Sequence, residues 1–446
     1  MSHIIRRLIF YGFCILFVVI APSILLYAQG YSFDWQKKTL IQTGALYIKS
    51  QPKNAIVSVN DKIIRKTPCL IKHLKPNQYE VTVKLNGYYS WQKTLRVDSN
   101  LVTEAREILL TPQSPILELL PVPLSNQFKI SNSGQQIISW QKDQSDTINY
   151  LDFSQYQQKQ FKTTNLIVDQ LNWSPNNEKI LIQQKDTWFL IDLTGQKTTQ
   201  LTSQNPNQSI NKIVWHPSNN NKILFLQGTT LYQQDLATKN LIKISDNIFD
   251  FTIANNSLFF FKEPGYFLYQ TDLSGESVKQ LTIRPILQNN IKKANLVIGP
   301  NRQIALVADN LLYLYIHDDR VFEIIQSNIR DAFFSPDGKK LLIAGTNEIW
   351  VMYLDKQTSQ PQKNIGQKDL IVRLGQPILQ VIWHPIDSSH IVFTTPDKIK
   401  IAEIDNRDNI NLSDFINAQN PWIQYIARTK KLYFTDQQKL FSVKLN

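Results

Sequence analysis

Cysteine is nearly missing from this chain: Cys14 and Cys69 are the two it has in 446 residues. Cys14 sits inside an apolar N-terminal segment, so no disulfide framework can staple the remainder, and Cys69 reads as a small apolar core residue. Histidine is sparse as well, at six, which confines imidazole chemistry to a few places. The serine-nucleophile elbow G-x-S-x-G is absent; Gly275-Glu276-Ser277-Val278-Lys279 comes nearest and lacks the second glycine. Neither a P-loop nor a dinucleotide fingerprint occurs. No stretch sets carboxylates at alternate positions around a glycine bend, as a calcium loop requires. We therefore expect no catalytic residue, no cofactor and no metal, and a protein that is not an enzyme.

Two stretches test that expectation. In Gln380-Val381-Ile382-Trp383-His384-Pro385-Ile386-Asp387-Ser388-Ser389-His390-Ile391-Val392-Phe393, two histidines and an aspartate lie within seven residues of one another. Those are ligands that zinc prefers. His317-Asp318-Asp319-Arg320 is polar, but it separates two β-prone runs, 311–316 and 321–325, and reads as a hairpin turn.

One long hydrophobic run is present. Leu8 to Ala28 carries no charge and directly follows Arg6-Arg7. Its length suits a bilayer-spanning helix. A cleaved signal peptide has a shorter apolar region and small residues at its end, whereas Leu26 and Tyr27 precede Ala28 here. The expectation is an uncleaved anchor over residues 1–29, making the lipid bilayer the first partner, with Tyr27, Tyr31, Phe33 and Trp35 at the far interface. Long domains translocate largely regardless of charge, which places the bulk of the chain outside the cytoplasm as a single-pass membrane protein.

Charge is uneven. The net +12 divides into fifteen basic and six acidic residues in 1–112, against thirty-three and thirty in 113–446. A locally basic module favours anionic surfaces such as headgroups or wall polymers. The nearly neutral remainder argues against nucleic acid, which needs a concentrated basic face.

Between 43 and 112, short β-prone runs (45–48, 55–59, 67–71, 79–85) alternate with turns at Gln51-Pro52-Lys53-Asn54, Pro76-Asn77 and Asn86-Gly87. They predict a small antiparallel β-sandwich. Gly44, Ser50, Pro52, Ala55, Val57, Val59, Thr67-Pro68, Leu74, Pro76, Tyr79, Val81, Val83, Gly87-Tyr88 and Trp91 fall in an order and spacing that resemble the PEGA domain family. The name-giving tetrapeptide appears as Pro52-Lys53-Asn54-Ala55, Asp61 stands where glycine is usual, and Asn77 replaces the glycine after Pro76. Asparagine tolerates left-handed backbone, so the turns can survive. The resemblance implies an extracytoplasmic β module without catalytic residues.

Downstream of Pro112 the sequence repeats. Phe333-Phe334-Ser335-Pro336-Asp337-Gly338-Lys339-Lys340 is the fullest copy, matched by Asn172-Trp173-Ser174-Pro175, Val214-Trp215-His216-Pro217 and Ile382-Trp383-His384-Pro385. Weaker copies centre on Asn132, Asn255, Pro300 and Ala427. The eight marks recur about every 42 residues, the length of a four-stranded propeller blade. His384 thus holds the slot of Ser174 and Ser335, and the histidine-rich stretch reads as a blade hairpin rather than a metal site. Residues 113–446 are expected to form an eight-bladed β-propeller, or a seven-bladed one should a weak copy be spurious. Pro115–Leu120 is expected to complete the last blade and tie the ends together. The aromatic-Ser-Pro-Asp-Gly-Lys pattern at 334–339 resembles the TolB-type, WD40-like propeller repeat, in which the aromatic and proline are structural.

The whole is read as all-β apart from its anchor. It acts by binding an envelope protein or an anionic wall polymer, with the propeller as platform. The alternative is a propeller enzyme for envelope sugars or peptides, which would gather several Asp, Glu or His side chains in the channel.

Overall fold

The computed structural model describes residues 3–35, 38–122, 127–140, 147–153, 157–162, 168, 170–195, 197–201, 208–286, 291, 294–385 and 387–445. The uninterrupted apolar run forms α1 (His3–Ala28). Its segment Ile9–Ala28 is long and apolar enough to cross a membrane, since twenty residues rise about 30 Å. Pro22 removes one donor within the helix, and the Ser23 hydroxyl donates to the Val19 carbonyl at 2.9 Å. Gly30, at φ +86°, follows the helix in the left-handed conformation that glycine adopts freely. A hairpin comes next, β1 (Tyr31–Asp34) paired with β2 (Thr39–Gln42).

The basic segment folds as seven strands: β3 (Gly44–Gln51), β4 (Ile56–Val59), β5 (Ile63–Lys66), β6 (Cys69–Leu74), β7 (Asn77–Lys84), β8 (Trp91–Val97) and β9 (Val102–Leu109). They make two sheets, ordered β5-β4-β7-β8 and β6-β3-β9. Alternation puts Val57, Val59, Val81, Val83, Trp91 and Leu95 into one core, with Cys69 partly buried against it. Asn54 and Asp61 take left-handed φ of 65° and 57°, whereas Asn77, expected in a turn, has no positive φ and opens β7. The expectation of a purely antiparallel sandwich needs correcting, because β3 and β9 run parallel. The first and last strands of the module lie side by side, and the intervening chain supplies the long return a parallel pair requires.

Eight four-stranded antiparallel sheets follow among the described residues. Sheets I to VII take their strands in chain order from within 127–162, 170–201, 210–245, 248–280, 294–327, 331–373 and 380–417. Sheet VIII combines strands 423–426, 431–436 and 439–444 with β10 (Glu118–Leu119), which pairs with the chain's last strand. The exchange of an early strand into the last sheet is the one the sequence led us to expect. The Lys431 ammonium and Ser442 hydroxyl both bond Glu118.

Buried clusters lie between neighbouring sheets. Trp140 of sheet I packs with Trp173 and Ile180 of sheet II, Leu342 of VI with Phe393 of VII, and Phe415 of VII with Leu432 and Phe434 of VIII. Another joins Ile426 and Tyr433 of sheet VIII to Phe128 and Ile130 of sheet I. Three tryptophans add a directed bond across such joints: Trp173, Trp215 and Trp383 donate from Nε1 to the carbonyls of Lys129, Asn172 and Phe333 on the preceding sheet.

The repeated motif is the first hairpin of each sheet. Ser174 N–H bonds Lys179 O, Ser335 N–H bonds Lys340 O, and His384 N–H bonds His390 O, closing the same turn. In the two serine copies the hydroxyl bonds the second residue beyond it, Asn176 at 2.8 Å and Asp337 at 2.6 Å. His317–Arg320 lies in the turn between strands 311–316 and 321–327, as the sequence suggests.

Candidate functional site

β8 and β9 are edge strands of the module's two sheets, so each presents unpaired backbone groups on one side. Those edges face sheets VI and VII, and side chains from the propeller loops cap them. The Asn411 carboxamide accepts from Gln92 N–H at 3.2 Å and donates to Gln92 O at 3.1 Å, as a neighbouring strand would. Asp408 accepts from Thr94 N–H at 2.7 Å. On β9, the Gln360 carboxamide accepts from Glu104 N–H at 2.8 Å and donates to Val102 O at 3.2 Å. Arg407 adds a bond to Glu104 O at 2.9 Å.

Beneath these caps lies a buried ion pair. Lys93 Nζ is 2.7 Å from Glu403 Oε1, with the two side chains 0% and 5% exposed. The ammonium also donates to the carbonyls of Asp405 and Asn409 at 2.7 and 3.0 Å, so its three donors meet three acceptors. Glu403 receives Trp91 Nε1–H at 2.8 Å, Asn411 N–H at 2.9 Å and the Asn411 amide at 2.8 Å. Every polar group that the seam buries here is satisfied, the condition under which a buried charge is tolerated. Burial pushes the Asp405 carboxyl up, but the bonds and charge of Arg407, with Lys93 behind, outweigh it and hold the group below its ordinary range. A second buried pair, Lys363 and Asp369 at 2.6 Å, joins the loops of the two sheets, since Lys363 also bonds Asn406.

Two clefts open along the seam. One of about 290 Å³ lies between β9, the 355–361 loop and the Asp337–Lys340 turn, and Trp91 and Tyr353 also line it. The other, about 330 Å³, lies between Tyr89–Trp91 and the 411–414 segment.

The histidine pair sits nearby. His390 Nδ1 is 3.1 Å from each oxygen of Asp387, and His384 Nδ1 is 3.4 Å from one of them. Ser389 N–H bonds the same carboxylate at 2.8 Å. Burial alone would raise Asp387; the nearby His384 ring and the bonded His390 ring prevail and hold it well below its ordinary value. Both rings thus direct Nδ1 at one shared carboxylate inside a hairpin, while Ile386 lies outside the described residues. Among the described residues no group of three or more His, Cys, Asp and Glu side chains is placed to hold a metal ion.

The first strands of the eight sheets carry two carboxylates among the described residues, Asp250 and Asp331. Asp250 pairs with Lys212 at 2.8 Å and Asp331 with Arg330 at 2.7 Å. The gathering of acids that a propeller enzyme calls for is not seen there.

Sequence reasoning missed Lys93 and Glu403, although a signal for each was present. In Trp91-Gln92-Lys93-Thr94-Leu95-Arg96-Val97 the apolar positions alternate, and Lys93 occupies one of them; burial follows that phase. Glu403 likewise continues the phase of Ile399 and Ile401.

No curated protein matches the chain. Among solved structures, it is similar to dihydro-heme d1 dehydrogenase NirN in complex with DHE, at 12% identity and a TM-score of 0.49, covering 69% of each chain. It is also similar to a eukaryotic initiation factor, at 12% identity and a TM-score of 0.49, over 73% of this chain and 86% of that one. The Myceliophteria thermophila Cps50 (Swd1) β-propeller domain is matched at 11% identity and a TM-score of 0.42, over 74% of this chain and all of that one. Residues 43–109 match the family model described as the PEGA domain.

Proposed function

We propose that this chain is a membrane-anchored binding or scaffold protein of the cell envelope. It holds an eight-bladed propeller outside the cytoplasm on a PEGA module and catalyses nothing. The observation that carries the reading is the seam. A propeller fixed by two edge-capping carboxamides and a fully satisfied buried ion pair is a platform held in one orientation, as recognition by loops on a rigid scaffold requires. A closed ring of eight blades is supported by the eight four-stranded sheets, the clusters between them, and the entry of β10 into sheet VIII.

Absence of turnover is supported by the pairing of Asp250 and Asp331 with neighbouring cations. α1 is the membrane anchor, and the partner is an envelope protein or an anionic wall polymer, drawn by the net +9 of residues 1–112. Nucleic acid has no place in this reading, because the propeller segment is nearly neutral.

Two experiments test it. Protease added to intact protoplasts should remove the propeller; protection until the membrane is permeabilised would overturn the extracytoplasmic placement. The purified full chain in detergent should also sediment with isolated wall material at low salt and less at high salt. Absence of sedimentation at either salt would remove the polymer and direct the search to a membrane protein partner.

A further inference from the structure

The hairpin that joins α1 to the module exposes large apolar side chains. Trp35 is 82% exposed, Leu40 54% and Phe33 42%. The Phe33 and Trp35 rings stack edge to face with centroids 4.9 Å apart. Exposed apolar patches of this kind on a folded surface mark a place that something else covers.

The hairpin is keyed to both of its neighbours. Thr43 donates to the Gly30 carbonyl from its backbone N–H at 2.8 Å and from its hydroxyl at 2.6 Å, clasping the end of the helix. Asp34 pairs with Lys75 of the module at 3.3 Å. Tyr27, in the last turn of α1, stacks on His73 of β6 with centroids 4.2 Å apart.

We propose that this hairpin is a lipid-facing foot. Phe33, Trp35 and Leu40 enter the boundary between headgroups and acyl chains of the bilayer that α1 crosses, which seats the folded module directly on the membrane surface. The inference rests on the reading of α1 as an anchor. Distance favours lipid as the cover: Tyr31 is three residues past Ala28, a reach of at most about 10 Å, and the interfacial layer on each side of the hydrocarbon is roughly 5–8 Å deep. Chemistry favours it too. Tryptophan suits the headgroup level, and exposed Lys38, in the turn between β1 and β2, supplies a cation for lipid phosphates. A hydrated wall polymer would leave the apolar rings uncovered.

The test uses the full chain reconstituted into bilayers whose acyl chains carry bromine, which quenches nearby indoles. The chain has nine tryptophans, and the eight others lie at Trp91 and beyond, in the module and propeller. Quenching should remove up to one-ninth of the emission, and W35F should abolish it. The F33S/L40S double variant should at least halve it while the protein still floats with the membrane. Floating protein without quenching, quenching that survives W35F, or quenching unchanged in the double variant would each overturn the foot and leave the anchor standing. Protein that fails to float overturns the anchor and the foot together.

Discussion

Replacing Lys93 with methionine is the sharpest test of the seam. The substitution keeps most of the aliphatic stem and removes the ammonium. It deletes the 2.7 Å ion pair with Glu403 and leaves the carbonyls of Asp405 and Asn409 without a donor. Glu403, 5% exposed on its side chain, keeps its bonds from Trp91 and Asn411 but loses its counter-charge. Breaking one side of such a pair costs about 3–5 kcal/mol. The assay is hydrogen exchange at the Gln92 and Thr94 amides, which donate to Asn411 and Asp408 across the seam. A loss of about 4 kcal/mol should lower their protection roughly a thousandfold, at 1.36 kcal/mol per factor of ten. The K93M/E403L double variant, which removes both charges, should recover most of it. A fall of less than tenfold in K93M, or a double variant as open as the single one, would refute the reasoning.

The remaining predictions concern the propeller. D387N should be less stable than the parent at neutral pH: a depressed carboxylate contributes stability above its ordinary value of 3.8, and the contribution is lost as pH falls through the lower folded value. The gap in melting temperature between the two proteins should therefore narrow below about pH 4; a gap independent of pH would disprove it. W383F removes the 2.9 Å bond to Phe333 O and should cost about 1–3 kcal/mol in urea unfolding. Leu120→Ala, at a side chain buried beside β10, should cost about 2–4 kcal/mol. Deleting residues 116–120 should in addition free the edge of strand 439–444 and produce self-association in light scattering.

The propeller was legible because its signal is repeated. Each Trp-Ser-Pro or Trp-His-Pro copy is a strand leading into a turn, and even the weak marks at Asn132, Asn255, Pro300 and Ala427 fall in the first hairpins of their sheets. The place of His384 in a turn was legible for the same reason, since Ser174 and Ser335 hold that place elsewhere. The short β5 and the closing β9 carry less signal, and the parallel pairing of β3 with β9 joins residues nearly sixty apart, which local alternation cannot report. The seam was hidden differently. Its partners, Lys93 and Glu403, are more than three hundred residues apart, yet each breaks the apolar phase of its own strand. A charge in a buried phase signals a partner to be found, and two such breaks of opposite sign are a pairing hypothesis.

The seam is not the module's sole hold on the propeller, and this bears on what losing it can do. The link from β9 to β10 is itself bonded back to the module: Tyr89 N–H bonds Thr111 O, and Gln113 N–H bonds Gly87 O, each at 2.9 Å. Leu109 packs against the apolar joint between sheets VII and VIII. The chain therefore enters the propeller at sheet VIII, while the capped edges hold the module to sheets VI and VII. Opening the seam alone should let the module pivot about that strap without freeing it, and the loss of protection in K93M should stay confined to β8 and β9. With the clasp of Thr43 on Gly30 at the other end, the path from helix to propeller has one joint that a single buried charge governs.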